Sequence, residues 1–146
     1  MDGVIERLET LSRTLSEAFR QAGDTRRRGA VLLACEIAVA EAGLVGKAVD
    51  KALETLRQGG SDAAVCLAIE GLSDCFDDAY FGLLNDEGVG TSTPEALVQF
   101  RKARAAAALA FALSPAPDAP AEALYEALSA TDNHAEVIKA IVSSLG

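Results

Sequence analysis

Four carboxylates fall close together at Glu70, Asp74, Asp77 and Asp78, and no Lys or Arg stands anywhere between Ser61 and Phe100 to relieve them. Acids so placed support two chemistries. Grouped oxygens suit a hard divalent cation such as Mg2+, Ca2+ or Mn2+. Left free, they build a negative field that draws a basic partner. Asp74, Asp77 and Asp78 could present two or three carboxylates to an ion, but helical metal sites usually draw acids from two or more helices, often with His. The field reading is therefore preferred, and no metal or other cofactor is assigned.

Nucleophilic catalysis needs a base beside the nucleophile. The single histidine, His134, sits in the polar run Thr131-Asp132-Asn133-His134, which reads as a helix start. Gly88-Val89-Gly90 lacks the third glycine and the preceding strand of a phosphate loop. Asp86-Glu87-Gly88 is too sparse for a calcium loop. Cys35, Cys66 and Cys75 are odd in number and never spaced C-x-x-C, which supports neither a disulfide nor a zinc framework, and at least two of the three read as small buried hydrophobes. No catalytic residue is assigned.

Charge is distributed unevenly. Residues 61–100 hold eight acids (with Asp62, Asp86, Glu87 and Glu95 beside the four above) and no base, nearly the whole formal charge of -9, whereas residues 1–60 balance nine acids with nine bases. Nucleic acid is disfavoured as a partner, because phosphates call for clustered Lys or Arg. The basic runs here, Arg26-Arg27-Arg28 and Arg101-Lys102 with Arg104, are short. Arg26 to Arg28 read as surface pairing partners or a small anion site, and Arg101 and Arg104 as partners that would partly neutralise the acids.

These side chains must be positioned by helices. Ala, Leu, Glu and Arg dominate, and period-2 runs of β-branched residues are missing. The 3–4 spacing of Val4, Leu8, Leu11, Leu15, Ala18 and Phe19 predicts one helix from Asp2 to Ala22. Further helices follow at about residues 25–42, 44–58, 61–84 (capped by Ser61), 94–113 (Thr93 cap, Pro94 at its start), 119–130 and 133–145 (capped by Asp132 or Thr131). The Ala-rich helix over 94–113 is expected at the centre. The fold class is all-α: one domain over 1–146, an antiparallel bundle of about six to seven helices or a stack of helical hairpins. No apolar run reaches the roughly 18 to 20 residues of a membrane span. Met1 to Glu6 lack the pattern of a secretory signal, which points to the cytoplasm.

On the helix over 61–84, at about 100° per residue, Val65, Ile69, Leu72, Phe76, Ala79 and Leu83 take one side. Glu70, Asp74 and Asp77 take the other, with Asp78 at its margin. A solvated face looks much the same, but two details suggest more. Glu70/Asp74 and Asp74/Asp78 are like charges four residues apart, each slightly destabilising. Leu67 and Phe81 project toward the acidic side, and an apolar residue framed by charge is a common form of binding hot spot.

The stretch Phe100-Arg101-Lys102-Ala103-Arg104-Ala105-Ala106-Ala107-Ala108-Leu109-Ala110-Phe111, then Glu122-Ala123-Leu124-Tyr125-Glu126-Ala127-Leu128-Ser129-Ala130, resembles small all-helical immunity proteins of bacterial polymorphic toxin systems, and Leu33 to Gln58 is similar in style. The resemblance implies a compact acidic protein that binds a cognate toxin and blocks it. The expected binding face is Glu70, Asp74, Asp77, Asp78, Phe81, Asp86 and Glu87, with the loop from Asn85 to Ser92, and the expected partner is a basic protein. Two rival readings remain: a small helical enzyme or ligand-binding bundle with a divalent ion on Asp74, Asp77 and Asp78, and a structural, oligomeric helical protein burying Phe81 between copies.

Overall fold

Ser12 divides what the apolar spacing predicts as one helix. Its backbone is extended (φ -163°, ψ 116°), and its Oγ accepts the Leu15 N–H at 3.1 Å, starting a new helix. The first stretch is thus α1 (Asp2–Leu11) and α2 (Arg13–Gln21), with Leu8 and Leu15 fully buried on either side of the break. The computed structural model describes the backbone of residues 2–86 and 93–146 and the side chains of residues 7–84 and 93–146. Among the described residues there are eight helices and no strand: α3 (Asp24–Ala42), α4 (Lys47–Arg57), α5 (Ala63–Asp86), α6 (Pro94–Leu113), α7 (Ala119–Ser129) and α8 (His134–Leu145) complete the set. None of them is long and apolar enough to cross a membrane.

Local chemistry sets the boundaries. Gly43 ends α3 in the left-handed region (φ 69°), and the Leu44 N–H reaches back to the Val39 carbonyl at 3.0 Å. Asp62, not Ser61, caps α5: its Oδ1 accepts from Ala64 and Val65 N–H at 3.0 and 3.2 Å. Thr93 caps α6 as its sequence predicts, accepting from Ala96 N–H at 3.1 Å. Asn133 caps α8, while Asp132 turns to Arg101 and the Thr131 hydroxyl donates to the Leu128 carbonyl.

The Ala-rich α6 sits at the centre, packed by α3, α4, α5 and α7. Ala105, Ala106, Ala108 and Leu109 are fully buried there, and such small side chains let neighbouring axes come close. α3 packs on α7 and α8, α1 on α7, and α2 on α8. These contacts between helices far apart in sequence join the chain's two ends into one buried cluster from Leu8 to Leu145. Stacked hairpins, in which each unit touches only its neighbours, do not describe this packing. A closed bundle does.

α5 is the exception to this enclosure. It packs on α4 and, along most of its length, on α6. Val65 and Ile69 join the core, and Leu72 and Phe76 lean on it. Beyond Phe76 the helix is held by α6, where the Tyr80 ring packs at a tilt of 57° against Phe100 with centroids 5.3 Å apart. The distal halves of α5 and α6 form a two-helix arm beyond the core.

Candidate protein-binding face

The core-facing residues of α5 determine where its acids point. Val65, Ile69 and Ser73 are buried, and the Ser73 hydroxyl donates to the Ala103 carbonyl at 3.1 Å. With that side against α6, Glu70, Asp74 and Asp78 are exposed, and none of the three makes an ion pair among the described residues. Leu67 (67% exposed) and Phe81 (58%) are among the most open large apolar side chains described. The tip of α6 adds Leu97 and Val98, also exposed. Glu70 and Asp74 border a shallow hollow of about 230 Å3 over Ala107, Ala110 and Phe111 of α6. The Cys66 thiol lies 3.6 Å from Glu70 Oε1. Burial and then that carboxylate push the thiol pKa up.

Asp77 departs from the expected face. It turns toward α6, where Arg104 Nη2 donates to both of its oxygens at 2.9 and 3.0 Å. Arg104 Nη1 donates to Glu126 of α7 at 2.8 Å, and the buried Arg104 Nε has no hydrogen-bond partner among the described residues. One guanidinium therefore ties α5, α6 and α7 together. Burial opposes the Arg104 charge, but Glu126 and Asp77 outweigh it and hold its pKa above the ordinary value. Burial pushes the Glu126 carboxyl up; Arg104 pulls it down, Glu122 pushes it up and Arg7 pulls it down, and the net direction is upward. Arg101 pairs with Asp132 instead of α5, so the basic run on α6 neutralises Asp77 and leaves the outward acids alone. Asp86 is the last residue of α5; Glu87 and the rest of 87–92 lie outside the described residues.

The other candidates are dispersed. Among the described residues no three His, Cys, Asp or Glu side chains gather as a cation site. His134 is partly buried, its Nε2 3.0 Å from the Thr131 carbonyl, a contact in which the ring must donate. None of Arg26, Arg27 and Arg28 forms an ion pair among the described residues, contrary to the pairing expected of them. Arg27 instead caps the end of α2, donating to the Phe19 and Arg20 carbonyls at 2.8 and 2.9 Å with its guanidinium over the Phe19 ring. Arg28 lines a cleft of about 600 Å3 with Leu56, Gly59 and Pro115.

One feature of the face is missing from the expectations. Ala64, Ala68, Gly71, Cys75 and Gly82, at successive intervals of four, three, four and seven, are all exposed along the outside of α5. Their spacing was a readable signal, but small residues look like weak core until the neighbours of the helix are known. Comparison with known proteins gives no match to a family model, to a curated protein or to a solved structure.

Proposed function

We propose that this chain is a non-catalytic protein-binding module, most concretely an immunity-type protein of the cytoplasm that binds and blocks a basic toxin domain through the outer face of α5. The observation that carries this reading is the exposure of Glu70, Asp74 and Asp78 without ion pairs among the described residues, on the same helix as Leu67 and Phe81. The carboxylates would speed encounter with a basic surface, since charge complementarity acts mainly on association rate. The Phe81 ring would then supply apolar anchorage, for which full burial of such a side chain is worth about 1.5–3 kcal/mol. Blockade needs no chemistry beyond occupancy.

The variant that tests this is Asp74→Lys with Asp78→Lys. Asp77 is left intact because changing it would strip Arg104 of a partner. Wild type and variant serve as bait against the lysate of the native host, and association of any captured protein is then timed at low and high salt. A basic protein is expected to associate more slowly with the variant, most strongly at low salt, while both baits keep the same helicity and Tm. Equal association rates at low salt refute the reading.

A further inference from the structure

Gly71 and Gly82 occupy the interior of α5, although glycine is the poorest helix former after proline. Neither has a positive φ. A Cβ added at either would meet nothing within 4 Å. Among the described residues, no turn and no neighbour accounts for them. At about 100° per residue they fall with Ala64, Ala68 and Cys75 inside an arc of about 60°, a smooth strip about 27 Å long at 1.5 Å per residue. Leu67 and Phe81, about 21 Å apart along the axis, stand on one border of that strip with Asp74 and Asp78 between them.

We propose that the occupant of this strip is an amphipathic, basic α-helix of the partner protein, laid lengthwise along α5. The inference rests on the binding reading of α5 and names the element that reading leaves open. Small side chains let a second helix approach to the short end of the usual 8–10 Å separation. A straight cylinder of matching length exploits such a strip along its whole extent. Leu67 and Phe81 then grip the apolar seam of the incoming helix near its two ends. Asp74, Asp78 and Glu70 choose its charge, since a Lys or Arg beside the seam would face them. A second copy of α5 is a poor occupant: the helix contains no Lys or Arg, so two such faces would set carboxylate against carboxylate.

The test uses two synthetic 21-residue peptides of identical composition and charge. One carries Leu and Ala along a helical seam with Lys and Arg on its flanks. In the other the same residues are rearranged into strict alternation, which no helix can sort into faces. Binding is followed by fluorescence anisotropy at low salt and by protection of the exposed Cys75 from alkylation. The helical peptide is expected to bind at least tenfold tighter than its counterpart and to protect Cys75. Gly71→Leu, which adds a good helix former at an exposed site where a Cβ meets nothing among the described residues, is expected to raise the Tm slightly, as alanine would, and to weaken the helical peptide tenfold or more. Equal binding of the two peptides, or indifference to Gly71→Leu, overturns helical docking. If in that case Asp74→Lys with Asp78→Lys still abolishes binding, the acidic-face reading survives. Binding indifferent to those charges, or no binding by either peptide, overturns both.

Discussion

Replacing Gly71 and Gly82 by Ala should make the protein more stable. Each substitution removes the penalty of glycine in a helix interior, about 0.8–1 kcal/mol relative to alanine, and the new methyl meets no atom of the described residues within 4 Å, so no steric cost from them offsets the gain. The two sites are eleven residues apart, about 16 Å along the axis, far enough for their effects to add. The double variant is therefore expected to gain about 2 kcal/mol. An unfolding entropy of about 2.1 cal/mol/K per residue gives about 0.3 kcal/mol/K for this chain, so each substitution raises Tm by about 3 °C and the pair by about 6 °C. Thermal unfolding followed by helical circular dichroism reads the shift, and urea unfolding reads the free energy. Gly29, exposed and equally uncrowded in α3, is the internal control: Gly29→Ala should stabilise by a similar amount without touching α5. If either α5 substitution lowers Tm while Gly29→Ala raises it, the glycines are needed inside the fold. An external helix would then no longer be required to account for them.

Two other predictions concern buried groups. The Glu126 carboxyl is raised chiefly by burial, so the native state holds its proton more tightly than the unfolded chain does; its contribution becomes more favourable as pH falls from neutral toward the ordinary glutamate value of 4.5. Glu126→Gln keeps an oxygen for Arg104 but removes this titration. Urea unfolding across that range should show the stability difference moving in favour of wild type on acidification, and movement the other way refutes the assignment. The thiols should separate by burial: Cys75 is exposed, Cys66 is partly buried with a raised pKa, and Cys35 is fully buried with its thiol pushed up to about 12 by burial and then by Glu36. Alkylation of the native protein at neutral pH, located by mass spectrometry, should mark Cys75 first and Cys35 only after unfolding. Labelling of Cys35 as fast as Cys75 would contradict its place in the core.

Apolar spacing made the helices, the capping at Thr93 and the central place of α6 legible, because these depend on local periodicity and on side-chain size. The break at Ser12 was hidden because the spacing runs straight through it: Leu8 and Leu15 face the same core, and Ser12 N–H still bonds the Leu8 carbonyl at 3.0 Å. The inward turn of Asp77 was hidden for another reason. Its helical angle places it among the acids, and what draws it away is Arg104, on a different helix. Competition among neighbouring caps, such as Asn133 against Asp132, is decided by a partner as remote as Arg101. Glu70, Asp74, Asp78, Leu67 and Phe81 could be found from α5 alone, because their exposure follows from which side of that helix is apolar.

The Arg104 clasp also fixes the register of the arm. Sliding α5 past α6 by one helical turn, about 5.4 Å, would pull Asp77 off the guanidinium and strand a charge that is also committed to Glu126. That penalty holds the arm in one position before any partner arrives. A preset face loses less conformational freedom on association than one that must first be ordered. A single arginine on the inner side of the arm therefore helps determine how tightly its outer side can bind.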